Sequence, residues 1–543
     1  MMAEVNNIPH IGNIVGSHLP ADIFARFLRI MEEEVVFVGG TDEHGSPTEV
    51  AAFKEGLEPK ELCDRLFKVH KKIYDWLGIS YDNFSRTSTK INHELTKEIF
   101  LKLIKKKLIV KKKILLPYCE NDKRFLPDRW VEGICPYCNY ESARGDQCEA
   151  CTKLLEPSQL IEPRCVICNR KPIFKEVEHL FLDLKKVEKK LKKWIEKNKH
   201  WKKNVRSIAL SWIKEGLKER CITRDLKWGI KVPLKGFEDK VFYCWFDAPI
   251  GYISSTIEWS IKNGKGDEWI KFWKNKDSKI FHFLGKDNIP FHTILWPAIL
   301  IGIGEYNLPY QVVGMEFLNY EGRKISKSKN WGIFLDVENE EVVVKIGEKN
   351  IKLNPDFLRF YLSYIMPETK DSNFSLEDFK NRVNGELVDN FGNLAYRVLT
   401  FIKTRFDSRV PISKELNKKD EKVLKEIKKV KENVKKKILN LNFKDALKNI
   451  LQLSDYGNKY FQEKSPWKEF SKDLESCKAT LFVSACLVKA LAILLYPFIP
   501  FSSEKVLNQL NYKEIKFENV DKFDLGNHLI GEIEPIFKKL EAV

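Results

Sequence analysis

Val35-Val36-Phe37-Val38-Gly39-Gly40-Thr41-Asp42-Glu43-His44-Gly45 opens as a short β-branched run and closes on glycines and ionisable side chains. A run of this kind reads as a buried strand, and polar groups just past a strand's C-terminal end are where open parallel α/β sheets bind ligands. Val241-Phe242-Tyr243-Cys244-Trp245-Phe246 and Ile280-Phe281-His282-Phe283-Leu284-Gly285 read the same way. Between these runs, residues 60–110 and the lysine-rich 185–219 read as helix, while 113–175 breaks into Cys, Gly and Pro. The pattern predicts an α/β unit that is interrupted by an insertion and then resumes. After Lys329 it changes again. Ser375, with Asp378 three residues on, is a capping-box-like helix start. Phe379, Val383, Leu387, Phe391, Leu394, Val398 and Ile402 then recur at helical spacing. Further helical pattern from about 418 to 510 predicts an α-bundle for the C-terminal third.

The chain has 543 residues, enough for two to four domains, and a formal net charge of +17. Such a surplus usually meets a polyanion, nucleic acid first, although a lysine-rich composition produces it with no partner at all. No basic-then-apolar signal pattern opens the chain. The most apolar stretch, Leu481 to Phe501, is interrupted by Lys489, Pro497 and Pro500, and reads as a buried bundle helix more readily than as a membrane span. A cytoplasmic protein with no membrane partner is expected. Of 12 cysteines, seven fall between Cys119 and Cys168, and in that compartment clustering argues for metal over disulfides.

Cys135, Cys138, Cys148 and Cys151 have the spacing of a closed four-thiolate zinc site. A second set is incomplete. Cys165 and Cys168 form a clean pair that Cys119 could join, but the residue three past Cys119 is Asp122, a weaker ligand in that position. Pro9-His10-Ile11-Gly12-Asn13 places an imidazole and a bare backbone turn ahead of an amphipathic stretch, where phosphate could approach the backbone; alone it reads more readily as a surface turn, and Pro20 predicts that the helix is broken or begins late. Lys324-Ile325-Ser326-Lys327-Ser328, preceded by Gly322-Arg323, is dense in cations that could close on a leaving pyrophosphate, or is a solvated basic loop. The pairing of these two segments, in this order and flanking α/β halves, favours the polyphosphate reading. Trp245 to Tyr252 sets aromatics at both ends of a small-residue turn, which suits a flexible thioether or ordinary core packing. Asn393 and Arg397 share one helix face, and Trp467 sits in a polar segment. There they could read and stack bases, or be ordinary helix residues.

Taken together these segments resemble the methionyl-tRNA synthetases, class I aminoacyl-tRNA synthetases of the kind found in archaea and the eukaryotic cytoplasm. The resemblance runs over nearly the whole chain. It rests on the His10–Asn13 and Lys324–Ser328 segments, on Gly-Thr-Asp-Glu-His-Gly at 40–45, and on Phe125-Leu126-Pro127-Asp128-Arg129. Gly145-Asp146-Gln147-Cys148, the stretch Arg220 to Gly229, Trp245 to Tyr252, and Gly285 to His292 carry it further.

The resemblance implies a Rossmann-like α/β catalytic domain in two halves, 1–112 and 231–320, with a zinc-knuckle connective peptide at 113–230 between them. It implies a stem-contact region at 321–373 carrying the Lys324–Ser328 loop, and an α-helical anticodon-binding bundle at 374–543. The implied activity is ATP-dependent ligation of L-methionine to tRNA(Met) through methionyl-adenylate, with magnesium carried on ATP. His10, Gly12, Asn13, Lys324, Ser326 and Lys327 would hold ATP, with His10, Asn13, Lys324 and Lys327 catalytic. Asp42 would take the methionine ammonium, and Trp245, Ala248, Pro249, Tyr252 and His292 its side chain. Asn393, Arg397 and Trp467 would read the anticodon, and any further tRNA-binding domain would be a separate partner protein. One departure stands out. The family has a strand and an Ala-Leu-Pro-Tyr stretch in the register that holds Met1-Met2-Ala3-Glu4 here, so a central strand and part of the methionine pocket are expected to be missing. Either the true start lies upstream or the protein is impaired, and the alternative function is a tRNA-binding paralogue with defective catalysis.

Overall fold

The computed structural model describes residues 2–541 apart from 147, 149, 152, 154 and 328. Two compact units are present, one of Met1–Ile8, Val36–Lys71 and Tyr81–Gly314, the other of Pro9–Val35, Lys72–Ser80 and Met315–Val543.

In the first unit, β1 (Met2–Glu4), β2 (Val38–Asp42) and β3 (Asn83–Arg86) form a parallel sheet with β2 in the middle. The expected absence of a first strand is corrected: Met2, Ala3 and Glu4 pair with Gly40, Thr41 and Asp42. The Val5 N–H extends the ladder to the Asp42 carbonyl at 3.0 Å. Pairing uses backbone groups alone, so even a three-residue stretch satisfies this side of β2. The central strand also starts later than expected and takes in both glycines. At Gly39 a Cβ would lie 2.5 Å from the Tyr81 ring, so only glycine fits. Within 60–110, helices Pro59–Trp76 and Lys90–Lys105 flank β3, which is too short to show a period.

The run at 241–246 is a strand only over Val241–Phe242 and then turns into the helical segment Cys244–Asp247. Phe242 and Phe246 are both fully buried and stack with their centroids 5.0 Å apart. A run buried on every side gives no periodicity to tell strand from helix. Phe281–Gly285 is a strand as expected. The insertion is a long antiparallel pair, Ile109–Cys119 with Ile173–Leu182, beside a small sheet of Val131–Ile134, Ala143–Arg144 and Ile161–Cys165. Helices Lys185–Lys197 and Lys203–Glu215 follow, burying Val187, Leu191, Ile195, Val205, Ala209 and Ile213 and leaving their lysines outside.

In the second unit, helical structure runs from Ile11 to Ile30 with a wider π turn at Ile14–His18. Pro20 lies in the first turn after it, where the missing N–H is tolerated, so the proline reshapes the helix without ending it. An antiparallel meander, Ile333–Glu338, Glu341–Ile346 and Lys349–Ile351, was not foreseen. Ser375 caps the helix Leu376–Arg382, which continues through a π segment at Val383–Gly392 into Asn393–Arg405. The stripe from Phe379 to Ile402 is buried throughout. The bundle is completed by Lys418–Leu439, Phe443–Lys464, Pro466–Lys472, Leu474–Leu495 and Pro500–Gln509. Leu474–Leu495 is long and apolar enough to cross a membrane, but 89% of its most apolar window is buried among its neighbours.

Arg359 and Asp22 are a fully buried ion pair in this unit, 2.8 Å apart. The guanidinium also donates to the carbonyls of Leu77, Pro497 and Phe498. Asp22 further accepts from Arg26 and from the Ser80 N–H and hydroxyl. Every polar group of the cluster is thereby answered, the condition under which a buried pair is tolerated.

Candidate active site and metal centres

In the second unit, His10 occupies the N-cap ahead of Ile11. Its Nδ1 accepts from the Gly12 N–H at 3.1 Å, and its own N–H donates to the Asn13 side-chain oxygen at 3.1 Å. This is a reciprocal cap, and it explains both Asn13 and Gly12: a Cβ on Gly12 would lie 2.9 Å from the His10 ring. With Nδ1 accepting, Nε2 carries the proton and is the outward donor. Pro9 and His10 are tied to the meander, the Leu335 N–H donating to the Pro9 carbonyl at 2.9 Å, and the His10 ring meets Phe334 edge-on.

The basic loop is a tight hairpin. Ser326 and Trp331 exchange backbone hydrogen bonds at 2.8 and 2.9 Å, and the Asn330 N–H donates to the Lys327 carbonyl. Arg323 lies over the Trp331 ring, and Lys324 over Phe317. Lys324 and Lys327 are exposed. Ser328 lies outside the described residues, as does Gln147. Burial, and then the Lys327 charge, push the His10 pKa down to about 3, so His10 is a neutral donor and the two distant segments meet.

In the first unit, Asp42 ends β2 and is buried. Its side chain accepts from the His44 backbone, while Oδ1 has no hydrogen-bond partner among the described residues. Burial, and then the nearby Asp247 charge, raise its pKa well above the usual carboxylate range. Asp247 is likewise fully buried and its pKa raised by burial; its Oδ2 meets His44 Nδ1 at 2.9 Å, and its Oδ1 has no hydrogen-bond partner among the described residues. Two desolvated carboxylates with open oxygens make a receptor for a cation. Sequence reasoning assigned no role to Asp247 or His44, though both lie in the quoted motifs. Glu43 is the contrast: it is buried but bonded to Thr41, Ser88 and Arg86, and so is structural.

Trp245 stacks on Phe291 with centroids 4.0 Å apart and meets the His292 ring edge-on. The Tyr252 hydroxyl is 2.8 Å from His292 Nε2. Ala248 and Pro249 are buried at the start of helix Ile250–Lys262. The expected aromatic slot residues are therefore together.

The four sulfurs of Cys135, Cys138, Cys148 and Cys151 lie within 4.8 Å of one another, with Cys135–Cys151 at 3.8 Å and Cys138–Cys148 at 3.6 Å. Thiolates about 2.3 Å from a tetrahedral zinc stand about 3.8 Å apart. Cys119, Asp122, Cys165 and Cys168 meet the same distance limit. The turns share a design. Asn139, Asn169 and Lys123 each follow the second ligand with φ of 58°, 59° and 49°, and the N–H two or three residues on points back at Cys135, Cys165 or Cys119 sulfur. Asp122 thus fills a cysteine's place in an otherwise regular knuckle. Both clusters can hold a metal ion.

Asn393 and Arg397 lie one turn apart on Asn393–Arg405. The Arg397 guanidinium sits 5.5 Å from the centre of the Trp467 ring and 5.1 Å from that of Phe461. Trp467 is 40% exposed, which removes the reading of it as a core residue.

A family profile described as tRNA synthetases class I (M) matches residues 2–399, and one described as the anticodon binding domain of methionyl tRNA ligase matches 410–534. The chain is 46% identical to the methionine–tRNA ligase of Thermococcus kodakarensis, over 98% of this chain and 72% of that one. It is 43% identical to a probable cytoplasmic methionine–tRNA ligase of Dictyostelium discoideum, over 99% and 72%. The solved Mycobacterium tuberculosis methionyl-tRNA synthetase in complex with methionyl-adenylate is similar with a TM-score of 0.79 and 25% identity, covering 99% of this chain and 98% of that one.

Proposed function

Since the chain belongs to the methionine branch of the class I tRNA synthetases, we propose a role for each residue of its site. The protein ligates L-methionine to tRNA(Met) with ATP, through methionyl-adenylate. Nothing in the comparisons supports the alternative of a non-catalytic paralogue.

The observation that carries the amino-acid site is the buried, open oxygen of Asp42. It takes the ammonium of methionine, with Asp247 adding negative potential behind it. Trp245, Ala248, Pro249, Tyr252 and His292 enclose the thioether, where sulfur–aromatic contacts are favourable. The methionine carboxylate then attacks the α-phosphate of ATP and pyrophosphate leaves. His10, through Nε2–H, and the backbone turn at Gly12 and Asn13 hold phosphate oxygens. Lys327, aided by Lys324 and Ser326, answers the charge that grows on the leaving group. Positioning and charge carry the rate, and the acyl group passes directly to the terminal ribose of tRNA with no covalent enzyme intermediate. Magnesium enters with ATP, carried mostly by phosphates.

Cys135, Cys138, Cys148 and Cys151 would hold a structural zinc, and Cys119, Asp122, Cys165 and Cys168 a second, weaker one. Asn393, Arg397 and Trp467 read the anticodon. Burial of Leu474–Leu495 within the bundle supports a protein without a membrane partner, and the likeness to a probable cytoplasmic methionine–tRNA ligase supports a cytoplasmic one. Pyrophosphate exchange with each amino acid tests the substrate. Exchange with methionine alone supports the assignment, and exchange with another amino acid but not methionine overturns it.

A further inference from the structure

Two of the stretches that carry the family resemblance, 125–129 and 220–229, converge on one buried side chain, Glu49. It stands in the first turn of the helix Ser46–Glu55, which follows directly on the segment holding Asp42 and His44. Glu49 Oε1 accepts from the backbone N–H groups of Lys227 and Trp228, both within the second stretch and each at 2.8 Å. Its Oε2 accepts from Nε1 of Trp130, the residue after the first stretch, at 3.0 Å. The Arg124 guanidinium lies 3.5 Å from the same oxygen and over the Trp130 ring. Both oxygens are thereby answered, and a desolvated carboxylate in that condition holds its donors firmly. None of these residues belongs to the two metal clusters.

The contacts continue toward the amino-acid site. Trp228, seated on Glu49 by its own backbone N–H, donates Nε1–H to the Glu43 carbonyl at 2.5 Å. Its ring meets the His44 ring edge-on, with centroids 5.5 Å apart. His44 Nδ1 in turn stands 2.9 Å from Asp247 Oδ2. We infer that Glu49 is a positioning residue for the methionine ammonium, acting through Trp228 and His44 on Asp247, an inference that rests on the assignment of the ammonium to Asp42 and Asp247. Glu49 fixes the ring against which His44 stands. His44 fixes which Asp247 oxygen is spent inside the protein. The other, Oδ1, with no hydrogen-bond partner among the described residues, is left to the ligand.

The position requires an acceptor on both sides. A glutamine at 49 would bring one acceptor and one amide donor group. With its oxygen on the Lys227 and Trp228 N–H groups, the NH2 would face Trp130 Nε1–H and Arg124; turned over, it would face the two backbone donors. Either orientation leaves buried donors unanswered with no change in side-chain volume. Trp228 is then held less firmly, His44 loses its fixed wall, and Asp247 Oδ2 its fixed partner. The grip on the ammonium is shared by the ground and transition states of adenylation, so its loss falls on KM and spares kcat.

The test compares the full chain with its Glu49→Gln variant in methionine-dependent pyrophosphate exchange, with melting temperature measured alongside. Methionine KM should rise about fivefold or more, with ATP KM within about twofold and kcat within about threefold. Two competitive inhibitors separate positioning from loosened packing: L-methioninol, which keeps the ammonium, and 4-(methylthio)butanoate, which lacks it. The methioninol Ki should rise with the methionine KM, while the butanoate Ki stays within about twofold. Trp228→Phe, which keeps a ring beside His44 but removes the bond to the Glu43 carbonyl, is the second variant should the first fold poorly, and the same split is expected. Asp42→Asn is the reference for the ammonium assignment. It should weaken methioninol more than the butanoate, and equal losses there would bring down that assignment and the inference with it. With the reference intact, a methionine KM changed by less than about twofold, equal rises for methionine and ATP, or equal losses for the two inhibitors would overturn the role of Glu49 alone.

Discussion

The Tyr252 hydroxyl stands 2.8 Å from Nε2 of His292, and Nδ1 of the same ring stands 2.9 Å from the carbonyl oxygen of Asn288. A carbonyl only accepts, so Nδ1 carries the proton, Nε2 accepts, and the tyrosine donates. Burial keeps the ring neutral by lowering its pKa to about 4. Tyr252→Phe leaves a buried acceptor without its donor, at a cost of about 1–3 kcal/mol. A lower melting temperature with a raised KM for methionine and a nearly unchanged KM for ATP is expected. Equal rises in both would place Tyr252 outside the amino-acid site.

Lys327→Ala should cut methionine-dependent pyrophosphate exchange by roughly 10² or more, as for loss of one transition-state donor. Methionine affinity, read by calorimetry without ATP, should hardly change, because the lysine acts on phosphate charge. A fall in exchange of less than about threefold would remove the loop from the chemistry.

Methionine binding should release a proton. Burial, and then Asp247, Glu4 and Glu43, push the Asp42 pKa upward, while the His44 backbone bond works the other way. An ammonium at Oδ1 favours the ionised form, so the bound pKa is lower than the free one and affinity rises with pH while methionine keeps its own proton. Calorimetry in buffers of different ionisation heat should report net proton release on methionine binding. Net proton uptake would contradict this geometry.

Trp467→Ala should lose on the order of 1–3 kcal/mol of tRNA affinity at that contact. Exchange without tRNA should stay near wild type, and changing the CAU anticodon should hurt the mutant less than the wild type. Arg397→Ala should behave alike, since its guanidinium lies over the same ring. Parallel losses in exchange and aminoacylation would sink the anticodon role.

Purified protein should carry one firmly held zinc, with a second that leaves first under chelator because carboxylate is the poorer partner for it. Asp122→Cys should slow that loss. Retention of zinc unaffected by Cys135→Ser would show that the first cluster is not its site.

The α/β plan, the cysteine quartet and the capped helix at Ser375 were legible because each rests on local spacing. The meander at 333–351 was not. Its Val342-Val343-Val344 run lies among lysines and glutamates that blur a period of two. The pairing of His10 with Lys327 could be named from two motifs, but the neutral state of His10 needed burial to be seen. Asp247 escaped assignment because one carboxylate in an aromatic run carries no local signal; only its open oxygen beside Asp42 does.

The Asp22–Arg359 pair also sets a schedule. Asp22 leaves the ribosome hundreds of residues ahead of Arg359 and of the Pro497 and Phe498 carbonyls that seat it. At typical synthesis rates of about 5–20 residues per second, that wait is on the order of tens of seconds. Throughout it, the helix Leu19–Ile30 lacks the Phe443 and Phe517 rings that Phe24 and Phe27 meet edge-on. The nascent chain is therefore exposed to misassembly at this helix, and its yield in cells should depend on chaperones that hold it until its late partners have emerged.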